Sequence, residues 1–417
     1  MTPATQPVTL LWLIGLDHVS GMRHGGNLRW FNLSRELLAR GHTVYFAINR
    51  AGDMDLPDRI DYLDKLKQGG FLSGYFVLDY HSKVRSRLAQ MMGYHPRFLN
   101  RLLRAPREAV AQDVAAIVAE NHVDAMILSD RAFLFLIEAL GTRCPVVVDW
   151  VDSFVLYFVR ALGMHVRRRE LLAAVADLRT LIPYYLQERY YGRRAAMNLL
   201  ASPVDKRCLD TVTGRPELNH ALVNGLSITE PAACAERRTA RLIFTGNMDF
   251  PPNYEAAIWF IEKVLPLVRR RRPDVVFAVA GRNPVSDLCA RAGIGVEILG
   301  DVPDLGAEIS RSALYVAPLI SGSGFKNKVI EAIACGTFVV STPRGVEFLD
   351  ETLRRRLLIA DSPTDFAAHV LRFLENHEHF TARLPELRKR VLDEYTWRRR
   401  AEEFLAHLSP TLLAQGV

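Results

Sequence analysis

Residues 321–342, with the sequence SGSGFKNKVIEAIACGTFVVST, constrain the fold of this chain more than any other stretch. Two glycines, Gly322 and Gly324, open the stretch and predict a loop, and residues 327–334 have the pattern of a helix. Gly336 ends that helix, and residues 338–341 predict a buried strand. A glycine loop followed by a helix and a strand is a typical unit of α/β structure.

The same stretch has the chemistry of an anion-binding site. Glycines let the backbone approach a phosphate closely, and a helix that follows them directs its free N–H groups and positive end toward it. Lys326 and Lys328 add positive charge, and Glu331 shares a helix face with Lys328. We therefore expect a diphosphate on the loop and lysines, and a ribose on Glu331. Each feature is common alone, so the prediction depends on their combination.

The motif resembles the donor site of GT-B glycosyltransferases of family 4. The residues that carry the resemblance are Gly322, Gly324, Lys326, Lys328, Glu331, Ala332, Ala334 and Gly336, followed by Val339, Val340, Ser341 and Thr342. The resemblance implies a retaining enzyme that uses a nucleotide-diphosphate sugar and requires no metal. It also implies an α/β GT-B architecture, in which two Rossmann-like parallel-sheet domains face a cleft and a C-terminal helix crosses back to the first domain. The family often has two glutamates eight positions apart; Glu331 matches the second, which binds the ribose, and Ser323 replaces the first.

The resemblance implies a set of donor-binding residues in several loops. Where common members of the family place an arginine and a lysine, this chain has Asn247 and Asn253. The positive charge that balances the diphosphate is therefore expected from Lys326, Lys328 and Arg282. The expected donor-binding residues are Gly246, Asn247, Asn253, Arg282, Gly300, Val302, Gly322, Ser323, Gly324, Phe325, Lys326, Asn327, Lys328 and Glu331. The expected catalytic residues are Lys328, Glu331 and Asp149.

The length of the chain and its alternating elements predict two domains. A chain of 417 residues exceeds what one hydrophobic core usually serves, and strands alternate with helices throughout, which favours parallel sheets. We expect an acceptor-binding domain over residues 1–228, a linker over 229–240 and a donor-binding domain over 241–394. Residues 395–417 resemble the terminal helix that packs back on the first domain.

Glycines and carboxylates in the first domain are candidates for the acceptor site. Gly25 and Gly26 precede a predicted helix, and Asp130, Asp149 and Asp152 follow predicted strands, at the end of a sheet where α/β proteins bind ligands. Asp149 and Asp152 are placed to orient acceptor hydroxyls. The alternatives are a plain tight turn for the glycines, and helix caps or ion pairs with arginines for the carboxylates. No residue identifies itself as the catalytic base.

A basic segment, residues 81–108, suggests a membrane surface as a partner. Its seven lysines and arginines, which include Arg97, Arg101 and Arg104, are interleaved with apolar residues and oppose one acid, Glu108. Such a segment binds an anionic membrane face or forms an ordinary helical surface coated with arginine. Five scattered cysteines favour a reducing compartment. We expect a cytoplasmic protein, peripheral on the inner face of the cell membrane if the segment binds lipid.

Other functions stay open on the sequence alone. A sugar-nucleotide epimerase of the same fold needs carboxylates around the sugar, which Ser323 makes less favourable. A catalytically silent nucleotide-binding module fits Ser323 and the uncharged Asn247 loop. The net charge of +7 permits nucleic acid, but no nucleic-acid-binding fold is recognisable, and we expect none as a partner. Neither the sugar, the base nor the acceptor follows from the sequence.

Overall fold

The computed structural model describes residues 6–15, 25–49, 56–80, 96, 103–226 and 238–413. The chain divides into two compact units. The first unit comprises Met1–Gly225 and Trp397–Val417, and the second comprises Leu226–Thr396. Most of the predicted linker, residues 229–240, lies outside the described residues.

A seven-stranded parallel sheet forms the centre of the first unit, in the order β3-β2-β1-β4-β5-β6-β7. The strands are β1 (Thr9–Ile14), β2 (Thr43–Asn49), β3 (Gly74–Leu78), β4 (Ala125–Leu128), β5 (Val146–Val151), β6 (Met197–Leu200) and β7 (Asn219–Ala221). Alternate residues of β1 enter different cores, since Trp12 packs in one hydrophobic cluster and Leu13 in another. Both faces of the sheet are therefore covered, as expected for a parallel sheet.

Helices cover this sheet. They are α1 (Gly25–Leu38), α2 (Leu56–Gln68), α3 (Arg104–Glu120), α4 (Leu136–Leu140), α5 (Phe154–Arg167), α6 (Leu171–Gly192) and α7 (Pro203–Thr213), with short 3₁₀ turns at Arg131–Phe133 and Pro216–Leu218. The terminal helix, Trp397–Leu413, also belongs to this unit. Its residues Ala401, Phe404 and Leu408 are fully buried in the cluster that contains Trp12, so this helix completes the core of the first unit.

Helices α5 and α6 form a hairpin between β5 and β6. The ring of Phe158 stacks on that of Tyr184, with centroids 5.5 Å apart. Nearer the turn, His165 Nδ1 lies 2.6 Å from Asp177 Oδ2. Ring stacking and this hydrogen bond fix the two helices against each other along their length.

The second unit is built around a six-stranded parallel sheet in the order β10-β9-β8-β11-β12-β13. The strands are β8 (Arg238–Thr245), β9 (Val276–Ala280), β10 (Val296–Gly300), β11 (Ser312–Ala317), β12 (Phe338–Ser341) and β13 (Leu358–Ile359). The helices are α8 (Pro251–Trp259), α9 (Leu265–Arg269), α10 (Ser286–Cys289), α11 (Leu305–Ser310), α12 (Asn327–Ala334), α13 (Glu351–Arg354), α14 (Pro363–Glu375), α15 (His377–Thr381) and α16 (Leu384–Glu394), with a π turn at Phe260–Val264 and a 3₁₀ turn at Pro343–Val346.

The strand order reverses once in each sheet, and this reversal fixes where ligands bind. In the first unit it falls between β1 and β4, and in the second between β8 and β11. Ligands of doubly wound sheets bind beyond the carboxyl ends of the strands at such a switch point. The predicted α/β fold with two parallel sheets is confirmed. No helix within the described ranges is long and apolar enough to cross a membrane.

Candidate functional site

The glycine loop predicted to bind phosphate follows β11, at the switch point of the second sheet. The helix predicted over residues 327–334 coincides with α12, and the strand predicted over 338–341 coincides with β12. Gly322 and Gly324 have φ angles of 88° and 80°, a left-handed conformation that favours glycine. A Cβ on Gly322 would lie 3.1 Å from Pro252 Cγ, so this loop runs close to the first turn of α8.

Lys328 joins the two loops of the switch point. Its Nζ donates a hydrogen bond to Asn253 Oδ1 over 2.5 Å and lies 4.7 Å from the ring centroid of Phe244. A Cβ on Gly246 would come within 2.8 Å of the same Nζ, so a larger residue there would displace the lysine. Burial, together with the neighbouring charge of Lys326, lowers the pKa of Lys328 to about 7. The negative charge near this ammonium is therefore too small to offset the effect of its burial.

Lys326 is buried at the mouth of the loop. Its Nζ donates a hydrogen bond to the carbonyl oxygen of Ser323, the residue that replaces the family's first glutamate. Phe325, another predicted donor-binding residue, packs its ring on Phe348 at 4.3 Å and anchors the loop. Ser323 thus gives Lys326 a backbone carbonyl oxygen at the position where the family's first glutamate would stand.

Glu331 lies one turn along α12 from Lys328. Burial raises the pKa of its carboxyl to about 7, and the charge of Lys328 opposes this rise. Burial also raises the pKa of Tyr315 on β11, and the charge of Glu331 adds to that effect. The Tyr315 hydroxyl lies 2.9 Å from Thr245 Oγ1. A buried tyrosine and threonine thus support the strand ends beneath the carboxylate, and neither was predicted from the sequence.

The remaining donor-side residues lie at the same edge of the sheet. Asn253 Nδ2 donates to the carbonyl oxygen of Asn247 over 2.8 Å. Asn283, which the sequence analysis did not select, has a left-handed φ of 51° and donates to Asn247 Oδ1 over 3.2 Å and to Asp249 Oδ2 over 3.0 Å. Turns after β8 and β9 are therefore tied together. Asparagine following the sequence Gly-Arg was the available signal, because asparagine tolerates this conformation.

Backbone hydrogen bonds connect these turns to the others that the sequence selects. Met248 N donates to the carbonyl of Arg282 over 2.8 Å, and Gly281 N donates to the carbonyl of Gly300 over 2.7 Å. Val302 follows Gly300 in the turn after β10. The predicted donor-side residues of the second unit thus lie in the turns after β8, β9, β10 and β11 and near the starts of α8 and α12, at one edge of one sheet.

Ser321 is a further polar residue at this edge. Only 8% of its surface is exposed, and its Oγ has no hydrogen-bond partner among the described residues. Buried hydroxyls are normally paired, so an unpaired one at the start of a glycine loop indicates a place for a ligand oxygen.

Asp149, predicted to be catalytic, lies in a buried ion pair in the first unit. Arg29 Nε donates to Asp149 Oδ2 over 2.9 Å and to Oδ1 over 3.2 Å, and both side chains are fully buried. Arg29 Nη1 donates to the carbonyl of Leu222 over 2.6 Å and to Asn224 Oδ1 over 3.0 Å. This is the ion pair that the sequence analysis gives as the alternative to an acceptor contact. The carboxylate is occupied by Arg29 and shielded from solvent.

Asp130 and Asp152 follow the neighbouring strands of the first sheet. Asp130 Oδ1 accepts from Ala132 N over 2.8 Å, and a Cβ on Gly15 would lie 3.3 Å from its Oδ2. Asp130 is therefore at the β1–β4 switch point. Asp152 follows Val151, whose φ of 62° is uncommon for a β-branched residue and marks a strained end of β5.

Two sequence predictions lie largely outside the described residues. Gly25 and Gly26 begin α1, but the preceding loop, residues 16–24, is not described. In the basic segment, residues 81–95 and 97–102 are not described. Arg104, which begins α3, is exposed and pairs with Glu108 over 2.7 Å. The lipid-binding role of this segment stays a prediction.

Comparison with protein families supports the assignment of the second unit. Residues 239–376 match the model of the family Glycosyl transferases group 1. A 144-residue stretch is 29% identical to an uncharacterized 44.6 kDa protein in the cps region of Klebsiella pneumoniae, covering 32% of this chain and 37% of that protein. A 129-residue stretch is 33% identical to the phosphatidyl-myo-inositol mannosyltransferase of Mycobacterium tuberculosis, covering 28% of this chain and 33% of that enzyme.

Comparison with solved structures covers nearly the whole chain. Alr3699/HepE of Anabaena, in complex with UDP and glucose, aligns with a TM-score of 0.65 at 13% identity, over 96% of this chain and 99% of that one. The sucrose-phosphate synthase of Thermosynechococcus elongatus aligns with a TM-score of 0.65 at 15% identity, over 98% of this chain and 99% of that one.

The fold and the family match together define the class of protein. The chain has the GT-B architecture, and its second unit is of the group 1, or family 4, glycosyltransferase type. The resemblance inferred from the glycine motif is thereby confirmed. The chain spans about a third of the length of the curated relatives that it matches, 37% and 33% of the two named above.

Proposed function

We propose that this protein is a glycosyltransferase that moves a hexose from a nucleotide-diphosphate sugar to a glycan or lipid-linked acceptor. The observation that carries the proposal is the environment of Lys328. Its buried ammonium lies between Asn253 and the Phe244 ring, beside a glycine loop and a helix N-terminus. An anion with two phosphates is the ligand that supplies the charge this site lacks.

Each residue of the site has a part in the proposed reaction. Lys326 and Lys328 bind the diphosphate and stabilise the negative charge that grows on it as the bond to the sugar breaks. Glu331 accepts hydrogen bonds from the ribose hydroxyls. Ser321 donates to a phosphate oxygen. The lysines supply the positive charge that a divalent cation gives in other transferases, so the proposal includes transfer without a metal.

The matched proteins support the finer parts of the proposal. The Mycobacterium tuberculosis relative is a mannosyltransferase acting on a phosphatidyl-inositol, and the Anabaena structure contains UDP and glucose. The Klebsiella relative comes from a cps region. They favour a hexose donor, an acceptor that includes a lipid, and a role in surface polysaccharide or glycoconjugate synthesis. Retention of the anomeric configuration is the outcome that the family resemblance favours.

A panel of nucleotide sugars tests the proposal directly. We expect one UDP- or GDP-hexose to bind in calorimetry and to be hydrolysed slowly, or transferred when acceptor lipids or oligosaccharides are added. Both reactions should continue in EDTA. Binding without hydrolysis or transfer for every acceptor would indicate a silent nucleotide-binding module. Release of an epimerised nucleotide sugar would indicate the epimerase.

Glu331→Ala should weaken the binding of the nucleotide. The loss should be about 1.5–3 kcal/mol, the value of a hydrogen bond to a charged group. Calorimetry with UDP and GDP measures it. Glu351→Ala, which removes an exposed glutamate from another helix of the second unit, is the matched control and should leave affinity unchanged. If the Glu331→Ala variant binds the nucleotide as tightly as the wild type, Glu331 is not part of the proposed site.

A further inference from the structure

The hairpin of α5 and α6 exposes an unusual amount of apolar surface. Most large hydrophobic side chains that the described part of the chain exposes lie on these two helices. One row on α6 has the spacing of a helix face, with steps of four, three, four and three residues, and consists of Leu171, Val175, Leu178, Ile182 and Tyr185. These side chains are between 40% and 71% exposed. The row is about 21 Å long at the rise of an α-helix.

The turn of the hairpin combines apolar and basic side chains. Leu172 is 91% exposed and Val166 is 56% exposed, on either side of Arg167, Arg168 and Arg169. All three arginines are exposed. Arg169 has a φ of 60°, the left-handed conformation that glycine adopts most easily, so an arginine occupies the position where glycine would fit best.

Charge determines which partner fits this surface. Residues 154–194 contain eight arginines and three acidic residues. The acids are engaged locally: Glu170 Oε2 lies 3.6 Å from His165 Nε2, Asp177 binds the other nitrogen of that ring, and buried Glu188 accepts from Ser153 Oγ over 2.8 Å. The exposed surface is therefore apolar and positive, which requires a partner that is apolar and negative.

A second copy of this chain does not meet that requirement. Parallel pairing of two hairpins would bring Arg167, Arg168 and Arg169 of both copies together. Antiparallel pairing would bring these arginines against the other end of α6, where Arg189, Arg193 and Arg194 are exposed. Either arrangement places positive charges on positive charges, which disfavours association.

We infer that the α5–α6 hairpin docks on an anionic lipid bilayer, with its leucines in the interface and its arginines on the lipid phosphates. A bilayer with acidic headgroups offers both the apolar depth and the negative charge that this surface matches. Stacked rings and the His165–Asp177 hydrogen bond hold the hairpin rigid, so docking requires no refolding. The surface is distinct from the basic segment of residues 81–108.

The base of the hairpin connects it to the candidate acceptor side of the first sheet. The Arg131 guanidinium, directly after Asp130, lies 4.3 Å from the Phe154 ring and 5.2 Å from the Tyr184 ring, and donates to Glu188 Oε1 over 3.1 Å. The base of the hairpin therefore packs against the residues that follow β4 and β5. If the proposed transfer is correct, a lipid-linked acceptor would arrive at these strand ends, but docking itself does not depend on that reaction.

Vesicle co-sedimentation of the full chain tests the inference. We expect the protein to sediment with vesicles of phosphatidylcholine and phosphatidylglycerol at low salt, and not with phosphatidylcholine alone. Leu171→Asp with Leu172→Asp should weaken binding by about 100-fold, because two exposed leucines leave the interface. Arg167→Gln, Arg168→Gln and Arg169→Asn together should also weaken it by about 100-fold, and high salt should reproduce that loss.

Matched controls lie on the second unit. Ile294→Asp changes an apolar residue that is 94% exposed. The triple variant Arg270→Gln, Arg271→Gln and Arg272→Gln removes three of the four consecutive arginines at 269–272. Both should sediment like the wild type. Circular dichroism and UDP or GDP binding confirm that every variant is folded, and these readouts do not require transfer.

Three results would overturn the inference. One is a folded wild-type protein that binds no anionic vesicle. Another is loss of binding only when Arg97, Arg101 and Arg104 are changed to glutamine, which would assign docking to the basic segment. A third is light scattering that shows a dimer which the Leu171→Asp, Leu172→Asp variant converts to a monomer, because the apolar row would then be covered by a second copy.

Discussion

Lys328→Met lowers the rate of sugar transfer by about 100- to 1000-fold, the usual loss when a charge-stabilising donor is removed from an active site. Methionine replaces the four side-chain atoms of lysine up to Cε, so the substitution removes the ammonium, which lies 4.7 Å from the Phe244 ring centroid, and little else. Transfer or hydrolysis of the nucleotide sugar measures the loss. A bare nucleoside, which has no diphosphate, should bind this variant as well as it binds the wild type.

Stability separates this interpretation from misfolding. Burial holds the pKa of Lys328 in the folded chain at about 7, below its ordinary value of 10.5, so the charged form is destabilised by folding. This penalty is complete below pH 7 and disappears as the pH rises toward 10.5. Lys328→Met removes the penalty, and we expect an unchanged or higher melting temperature at neutral pH. A lower melting temperature with equal loss of nucleoside and nucleotide binding would contradict the proposed role.

The pH dependence of donor binding tests the role of Lys328 without a measurement of the transfer rate. A bound diphosphate raises the pKa of Lys328 above about 7, so affinity falls as the pH rises beyond that value. Hydrogen bonds from ribose favour the ionised form of Glu331 and lower its pKa from about 7, so affinity also falls as the pH drops below it. Calorimetry with the intact nucleotide sugar should show a maximum near pH 7. The alkaline limb should be absent in Lys328→Met, and the acid limb in Glu331→Gln.

Local pattern predicts the donor loop well because its elements are contiguous in the chain. The glycines, α12 and β12 all follow from residues 321–342, and glycine adopts the left-handed conformation of this loop without a steric cost. The contact of Lys328 with Asn253 does not follow, since 75 positions separate the two residues. Only the strand order, with β8 beside β11, brings them together.

Prediction fails where a run of residues fits more than one structural pattern. Helix α5 begins Phe-Val-Leu-Tyr-Phe-Val, a run of apolar residues in which helical and strand periods cannot be distinguished, and the sequence analysis assigned no helix there. The helical segment after β8 contains the π turn Phe260–Val264, which no local residue predicts. The exposed row on α6 also could not be recognised, because an apolar stripe in a sequence usually indicates a core-facing helix.

Asp149→Ala should destabilise the first unit by about 3–5 kcal/mol, the cost of leaving a buried charge without its partner. The substitution leaves the Arg29 guanidinium fully buried, with Nη1 still bonded to Leu222 and Asn224 but Nε without the carboxylate. Urea unfolding of the full chain, followed by circular dichroism, measures the loss. Asp393→Ala, which breaks the exposed pair with Lys389, is the control and should leave the free energy of unfolding unchanged.

Replacing both residues of this ion pair tests whether Asp149 takes part in catalysis. Replacing both partners, as Arg29→Met with Asp149→Leu, removes the buried charge altogether and should recover much of the lost stability, because the desolvation penalty of both ions disappears with them. If Asp149 only holds Arg29, the folded double variant transfers sugar within about tenfold of the wild type, whereas loss of a catalytic acid or base costs about 100- to 10,000-fold. If Asp149→Ala is instead as stable as the wild type but transfers no sugar, Asp149 acts in the acceptor site. The sequence could not distinguish these roles, because Arg29 lies 120 positions away and meets Asp149 only through the packing of α1 on the sheet.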